Sequence, residues 1–485
     1  MRRFARLLRR GLGLLLALAL AALAFQLLVP RPFDDRRATL RKEAYLARIA
    51  ELAAGGGERP SFVLILFDDL GYGDLGCYGS LIRTPHLDAL AAGGARLTQA
   101  YATSPYCSAS RAGLLTGRYP LRAGLDHVVQ APWTWKDVLE RAGGFNRRLP
   151  AEEITIAEIL QAAGYATAIF GKWHLGDASP SLPNERGFDH FFGLLHSNDQ
   201  GKPALRRDGE IVEPHPIDQA TLSRRYAEEA AAFIASNRRR PFFLYLPHTF
   251  PHIPLHVPAA RRGRSSAGLY GDVIEELDDS VGRVLEALRR SGREADALVL
   301  VSSDNGPWFQ GSSRGHRGRK FDVFEGGMRV PFIASWPGRV AAGQVLDQPV
   351  MGIDVFPTLL ELAGLPAPED RLIDGRSLVT LLTGGEAGAP VHDRILYFQL
   401  AKLRALRQGR FKYHDAQYVL FGNPMGWPWA PMKKRGPWLF DLDSDPAETY
   451  DVSDRYPGVA RRLRDLLLEE RRAIDANPRG WRLSR

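Results

Sequence analysis

At 485 residues, 45% hydrophobic, 25% charged and 10% aromatic, the chain is long enough for two to four domains and ordinary for a globular protein. It carries no internal repeat or low-complexity tract, which excludes fibrous, solenoid and disordered classes. The formal charge of +9 is an end effect: Arg2, Arg3, Arg6, Arg9 and Arg10 account for five charges, and the +4 left for the rest is too dilute for a nucleic-acid-binding face.

Those arginines precede an uncharged apolar stretch, Gly11–Val29, the order of a basic and then an apolar region in an export signal. Ala22-Leu23-Ala24 offers a small-x-small cleavage site, yet the stretch is also about long enough to span a bilayer. Residues 1–30 are therefore expected to be a signal peptide or a membrane anchor, with the body periplasmic, extracellular or membrane-tethered. Over 35–54, Leu40, Tyr45, Leu46, Ile49 and Leu52 recur at helical spacing, and Gly55-Gly56-Gly57 ends the pattern. This predicts an amphipathic stalk within a linker, 31–58.

From 59 to 390 short apolar runs alternate with helical patterns, which predicts an α/β domain with a large, mixed, mainly parallel central sheet flanked by helices. Strands are expected at Phe62–Phe67, Ala166–Phe170, Phe242–Leu246, Ala297–Val301 and Pro331–Ser335. Helices are expected at about 155–163, 219–236, 268–290 and 354–363, and another opens at Thr84-Pro85, with Thr84 as N-cap, and stops near Gly93. After Gly364 the texture changes. Short strands at Arg394–Gln399, Arg410–His414 and Trp438–Leu442 and a helix at about 458–474 predict a smaller antiparallel-sheet subdomain, 391–485.

Two expected strands end in oxygen-rich segments: Phe62–Phe67 runs into Asp68-Asp69, and Ala297–Val301 into Ser302-Ser303-Asp304-Asn305-Gly306. Ligands of open α/β sheets gather beyond the carboxyl ends of the strands, and these oxygens suit a hard cation, Ca²⁺ or Mg²⁺. Each segment alone also reads as an ordinary turn or cap. The two cysteines, Cys77 and Cys107, could form one disulfide or remain thiols. Cys107 opens CSASRAGLLTGR, a loop entering a helix that Gly117 stops, and a cysteine at a helix start beside Arg111 is favoured as an anion.

The run CSASRAGLLTGRYPLRAG resembles the signature of the type I sulfatases, the arylsulfatase branch of the alkaline-phosphatase superfamily, in which the cysteine of C-x-P-x-R is oxidised to formylglycine. Further segments resemble family blocks in order: DDLGYGD from Asp68, GKWHLG from Gly171, NERGFDHFFG from Asn184, PHIP from Pro251, SDNG from Ser303, Lys320 before FEGG, and LFDLDSDPAE from Leu439. The likeness spans about residues 60–455. Ala109 stands where the family has proline, which bears on the formylglycine-generating maturation enzyme, since proline favours an extended chain before it.

The resemblance implies sulfate-ester hydrolysis. Asp68, Asp69, Asp304, Asn305 and the modified Cys107 would hold a divalent cation, Ca²⁺ before Mg²⁺. The aldehyde hydrates; one hydroxyl attacks sulfur, and the second expels sulfate from the covalent sulfo-enzyme. Arg111 would steady the diol and His174 assist the elimination. Lys172, His252 and Lys320 would bind the sulfate, the last two being candidates to protonate the leaving oxygen. The substrate would be a sulfated small molecule or carbohydrate.

A phosphodiesterase or phosphonate monoester hydrolase of the same superfamily, and an inactive sulfatase-like binding protein, are the alternatives. Outside this set, His248 is a candidate second histidine. Arg314–Arg319 reads as solvated loop charge or an anion contact, Trp427, Trp429 and Trp438 as core or a ring platform, and Cys77 as a buried thiol.

Overall fold

The computed structural model describes residues 11–21, 34–385, 389–415, 417–419 and 433–482. The arginine cluster and the Ala22-Leu23-Ala24 site lie outside the described residues, as do Trp427 and Trp429. Residues 11–21 are helical and exposed, and no helix among the described residues is long and apolar enough to cross a membrane.

The main sheet has eleven strands: β1 (Ser61–Phe67), β2 (Ala95–Tyr101), β3 (Ala166–Lys172), β4 (His190–Leu194), β5 (Leu205–Arg207), β6 (Glu210–Glu213), β7 (Phe242–Pro247), β8 (Ala297–Ser303), β9 (Arg329–Ser335), β10 (Gln344–Leu346) and β11 (Val350–Met351). Their order is β10-β2-β9-β8-β1-β7-β3-β4-β5-β6, with β11 beside β2. The centre, β8-β1-β7-β3-β4, is parallel, whereas β9, β5 and β6 pair antiparallel.

Side chains alternate across a strand, so β1 divides itself between two cores. Phe62, Leu64 and Leu66 enter one, with Trp173 and Leu298; Val63, Ile65 and Phe67 enter the other, with Val273 and Leu277 of the long helix Gly268–Ser291. Burial on both faces explains why β1 reads as an unbroken apolar run rather than an alternating one.

The helix Pro85–Ala92 forms as expected, with Thr84 at the N-cap and Pro85 in the first turn, but the Thr84 side chain makes no capping hydrogen bond. The Thr84 hydroxyl instead accepts from Gly76 N and donates to Asp88, while the carboxylate of distant Asp278 accepts from His86 N and Leu87 N. The helix Arg36–Ala53 also forms. It does not stand off as a stalk: Ile49 is buried in the core, Lys42 Nζ donates to Ala151 O and Glu153 O, and the Tyr45 hydroxyl donates to Pro366 O.

A second, antiparallel sheet is built from β12 (Ile395–Gln399), β13 (Lys402–Gln408), β14 (Phe411–His414) and, beyond the short pair β15 (Gln417–Val419) and β16 (Lys433–Arg435), β17 (Trp438–Asp441). The terminal helix Pro457–Ala476 packs on it through Leu463, Leu467 and Ile474, in one cluster with Tyr101 and Met351 of the main sheet. Buried charges tie the two sheets together: Lys412 Nζ lies 2.9 Å from Glu325 and 3.1 Å from Glu448, which also takes a hydrogen bond from His414.

Candidate active site

Register brings the two oxygen-rich segments together. β1 and β8 run parallel with Phe67 opposite Ser303, so both chains leave the sheet at one level, and Asp304 N donates to Phe67 O at 3.0 Å. β3 delivers Lys172 at its last position. β7 leads into the loop carrying His252, and the buried helix Cys107–Thr116 presents Cys107 and Arg111 one turn apart. Asp69 and His174 have φ of 67° and 63°, a left-handed conformation that costs a non-glycine residue free energy and recurs at functional sites.

All ten site residues expected from the sequence are buried. Arg111 is the keystone: Nε donates to Asp304 Oδ2 at 2.9 Å, a second nitrogen lies 2.8 Å from the same oxygen, and the third donates to Lys172 O at 2.7 Å. Lys172 Nζ lies 2.5 Å from Asp68 Oδ2, and Lys320 Nζ 2.7 Å from Asp69 Oδ2. Asn305 Nδ2 donates to Asp69 Oδ1 at 2.7 Å, and Cys107 Sγ lies 3.9 Å from that same oxygen. His252 Nε2 stands 3.8 Å from Asp69 Oδ2. His174 is anchored on the β3-following loop through Val129: Nε2 sits 2.9 Å from Val129 O, which makes it the protonated nitrogen, and Nδ1 is buried without a partner among the described residues.

The electrostatics follow from burial and from this packing. Burial pushes the Asp68 carboxyl up, but Lys172, His252 and Arg111 outweigh it and hold it well below the usual range. Asp304 goes the other way, pushed up to about 7 by burial and by Asp68 despite Arg111. Burial, with Lys172, drives His174 well down, so it is a neutral acceptor. Burial lowers Lys320, yet Asp69 more than restores it and keeps it an ammonium. The Cys107 thiol is the correction here. Its place at a helix start does not activate it, because burial pushes it up to about 12. An unmodified thiol in this setting is a poor nucleophile.

The residues fit a divalent cation on their own chemistry. Ligand atoms of Asp68, Asp69 and Cys107 lie within 4.8 Å of one another. Asp68 Oδ1 and Asn305 Oδ1 are buried without a hydrogen-bond partner among the described residues, and an orphaned buried oxygen is costly unless something positive meets it. Three carboxylates and the three cations Arg111, Lys172 and Lys320 balance formally, so a bound divalent ion leaves the site net positive and ready for an anion.

Three neighbours escaped the sequence reading. Ser197 Oγ takes a hydrogen bond from Lys172 Nζ at 3.2 Å and lies 3.5 Å from the His252 ring nitrogens; Asn198 Oδ1 and Ile253 O both face His252 Nδ1; His196 packs edge-on to His174. They follow β4 in a loop with no distinctive spacing, and only the register of β4 beside β3 puts them there.

The secondary candidates fall outside the cluster. His248 is a core histidine, stacked on Phe67 and bonded to Ser280. The basic run is tied to backbone carbonyls: Arg314 donates to Tyr78 O, Arg317 to Glu448 O, and Arg319 to Trp308 O and Gly311 O. Trp438 packs on Phe324 and Phe440. Cys77 is half-buried rather than buried, and neither cysteine is in a disulfide.

The family model described as Sulfatase matches residues 60–365, and that described as N-sulphoglucosamine sulphohydrolase, C-terminal, matches residues 316–473. N-acetylgalactosamine-6-sulfatase of Rattus norvegicus is 40% identical over 398 residues, covering 76% of this chain and 74% of its own. Arylsulfatase A of Homo sapiens is 36% identical over 456 residues, covering 84% and 87%. Among solved structures, PsFucS1 sulfatase from Pseudoalteromonas sp. matches with a TM-score of 0.75 at 27% identity, over 93% of this chain and 96% of that one.

Proposed function

The chain belongs to the type I sulfatase family and is a sulfuric ester hydrolase, and from that premise we propose that it works through formylglycine made from Cys107 and a divalent cation, Ca²⁺ before Mg²⁺. One observation carries the reading: Cys107 sits among Asp68, Asp69, Arg111, Lys172 and Lys320, a setting built for anions in which its own thiol stays protonated. The aldehyde, once hydrated, would supply two hydroxyls, one as the nucleophile towards sulfur and one whose deprotonation would release the sulfate. Asp68, Asp69, Asp304, Asn305 and the modified residue would hold the cation, which adds positive charge beside the attacking oxygen.

The chain's own residues do the rest. Arg111, fixed on both sides by Asp304 and Lys172 O, orients the attacking group. Lys172, Lys320 and His252 meet the peripheral sulfate oxygens as charge builds on them. His174 offers its free Nδ1 to take the proton of the second hydroxyl, since Nε2 is committed to Val129 O. Lys320 and His252, converging on one oxygen of Asp69, are the groups that can return a proton to the leaving alcohol.

The substrate we propose is a sulfated carbohydrate or small molecule, the former being what the rat relative is named for. The body is exported, an inference supported by the arginine-led apolar stretch Gly11–Val29; full-length protein in a soluble cytosolic fraction would contradict it.

Matched aryl sulfate, phosphate monoester and phosphate diester substrates test the function on one preparation. A sulfate monoester has one charge and three peripheral oxygens for Lys172, Lys320 and His252, whereas a diester replaces one oxygen with a second organic group. The sulfate should show the highest kcat/KM. A wide margin for the diester would move the protein to the phosphodiesterase reading.

A further inference from the structure

Beyond residues 11–21, exposed large apolar side chains are scattered singly over most of the described surface and concentrated in one place. Trp133, Trp135 and Leu139 are 61–67% exposed and Phe145 46%. Scattered apolar residues are ordinary, but a concentration of this kind marks a surface that something covers.

The helix Trp135–Gly143 sets these residues outwards. Its inner side carries Asp137, which is buried and accepts from Trp133 N, Arg141 and Arg147. Trp135, Leu139 and Gly143 recur every fourth residue on the outer side, and Lys136 is exposed beside Trp135. The Phe145 ring continues that row, since a Cβ on Gly143 would stand 2.8 Å from it. Trp133 precedes the helix, its ring 4.8 Å from the Arg141 guanidinium, and is held at φ 62°. A bulky residue takes that conformation only at a cost in free energy, and here the cost does not bury the ring.

The position of this face relative to the N-terminal segment indicates its partner. Asp34 Oδ2 lies 2.6 Å from Arg148, three residues after Phe145, and Ala151 N donates to Asp34 Oδ1 at 2.9 Å. Only residues 30–33 separate Asp34 from the apolar stretch Gly11–Val29, a reach of at most about 18 Å. Charge points the same way. From Trp133 to Arg148 the four cations Lys136, Arg141, Arg147 and Arg148 outnumber the two carboxylates Asp137 and Glu140, a balance that suits anionic lipid headgroups.

We propose that the face formed by Trp133, Trp135, Leu139 and Phe145 docks on a lipid bilayer, with the rings and Leu139 at the headgroup boundary and Lys136 among the phosphates. Tryptophan, with an apolar body and one N–H, suits that boundary, and an amphipathic helix with aromatic, aliphatic and basic residues side by side has the composition of an interfacial helix. This rests on the export reading and names the surface of the body that meets the membrane.

The test uses the full chain in vesicles of phosphatidylethanolamine and phosphatidylglycerol that carry a nitroxide lipid, with a fluorophore attached at Lys136→Cys or at Arg290→Cys. Arg290 is the distant control: its helix, Gly268–Ser291, packs on the opposite face of the main sheet from Val129 and Leu149, which bracket the docking segment. Burial pushes the thiols of Cys77 and Cys107 up to about 12, so neither competes for the label at neutral pH. Nitroxide at a depth of about 5–10 Å, that of an interfacial helix, should quench the label at position 136 and spare the one at 290. Adding Trp135→Ser and Leu139→Ser should lower the first signal to the level of the second, with the thermal midpoint unchanged. If that variant does not fold, the comparison of the two labels in the otherwise unaltered chain decides. Equal quenching at both positions, or none at position 136, would overturn the proposal. So would a dimer in light scattering that the two serines dissolve, which would assign the face to a second copy of the chain. Full-length protein in the cytosol would instead sink the export reading, whatever the vesicles show.

Discussion

Replacing Lys320 by alanine separates a catalytic lysine from a structural one. Its Nζ lies 2.7 Å from Asp69 Oδ2, and its side chain is 5% exposed. At an effective dielectric of about 20 the gross attraction in such a pair is about 6 kcal/mol, nearly all of it spent on desolvation, so the pair's net contribution to folding is small. The alanine variant nevertheless leaves Asp69 short of its cation, and breaking a buried pair from one side costs about 3–5 kcal/mol. A bound divalent ion at Asp69 would absorb part of that cost. The catalytic effect is separate: a charge that meets a sulfate oxygen as negative charge builds, and that can protonate the leaving alcohol, contributes about 10²-fold or more, near 2.7 kcal/mol. The assay is kcat/KM on an aryl sulfate for wild type and Lys320→Ala at equal aldehyde content, with the thermal midpoint recorded alongside. A loss of about 10²-fold or more in a protein that remains folded is expected. A folded variant within about threefold of wild type would refute the role given to Lys320 and leave His252 as the group that returns the proton.

Chelation, or Asp304→Ala, should remove most activity, because Asp68, Asp69 and Asp304 crowd into one buried site and need a cation between them; metal analysis of active protein that finds no divalent ion would contradict this. Stability should carry a separate acid signature from Glu153, which is buried between Arg118 at 2.7 Å and Arg479 at 2.7 Å. Burial raises its carboxyl, but the arginines overcome that and hold it at about 2 against an ordinary 4.5. Depressed in the folded state, this group stabilises fully above the ordinary value and loses that contribution, about 3 kcal/mol, as pH falls from 4.5 towards 2. The stability gap between wild type and Glu153→Gln should therefore narrow over that window, and a gap independent of pH would refute the assignment.

The site was more legible in the sequence than the outskirts of the fold, for physical reasons. Asp68-Asp69 and Asp304-Asn305 directly follow the central strands β1 and β8, whose burial on both faces makes them unbroken apolar runs, so one pattern marks both the strand end and the candidate ligands. β2 and β13 were missed because their sequences, ARLTQAY and KLRALRQ, mix charged and apolar residues, and β2 also shifts register between Leu97 and Ala100, which breaks the alternation. Ser197 and Asn198 were invisible because their place depends on a neighbouring strand rather than on local spacing. The helix start at Cys107 misled in the opposite sense: a local pattern that favours an anion is outweighed by burial, which is a property of the whole fold. Likewise the apolar stripe of Arg36–Ala53 reads as a stalk in sequence, although Ile49 packs into the core and Lys42 bonds to Ala151 O.

The central claim is that sulfate-ester turnover depends on an oxidised Cys107. Peptide mass spectrometry of the tryptic segment Leu97–Arg111, on fractions of graded specific activity, tests it most directly. The account predicts that activity rises in proportion to the fraction in which Cys107 has exchanged sulfur for an aldehyde oxygen, and that Cys107→Ala is folded and inactive. Full activity with Cys107 entirely in the thiol form would contradict it.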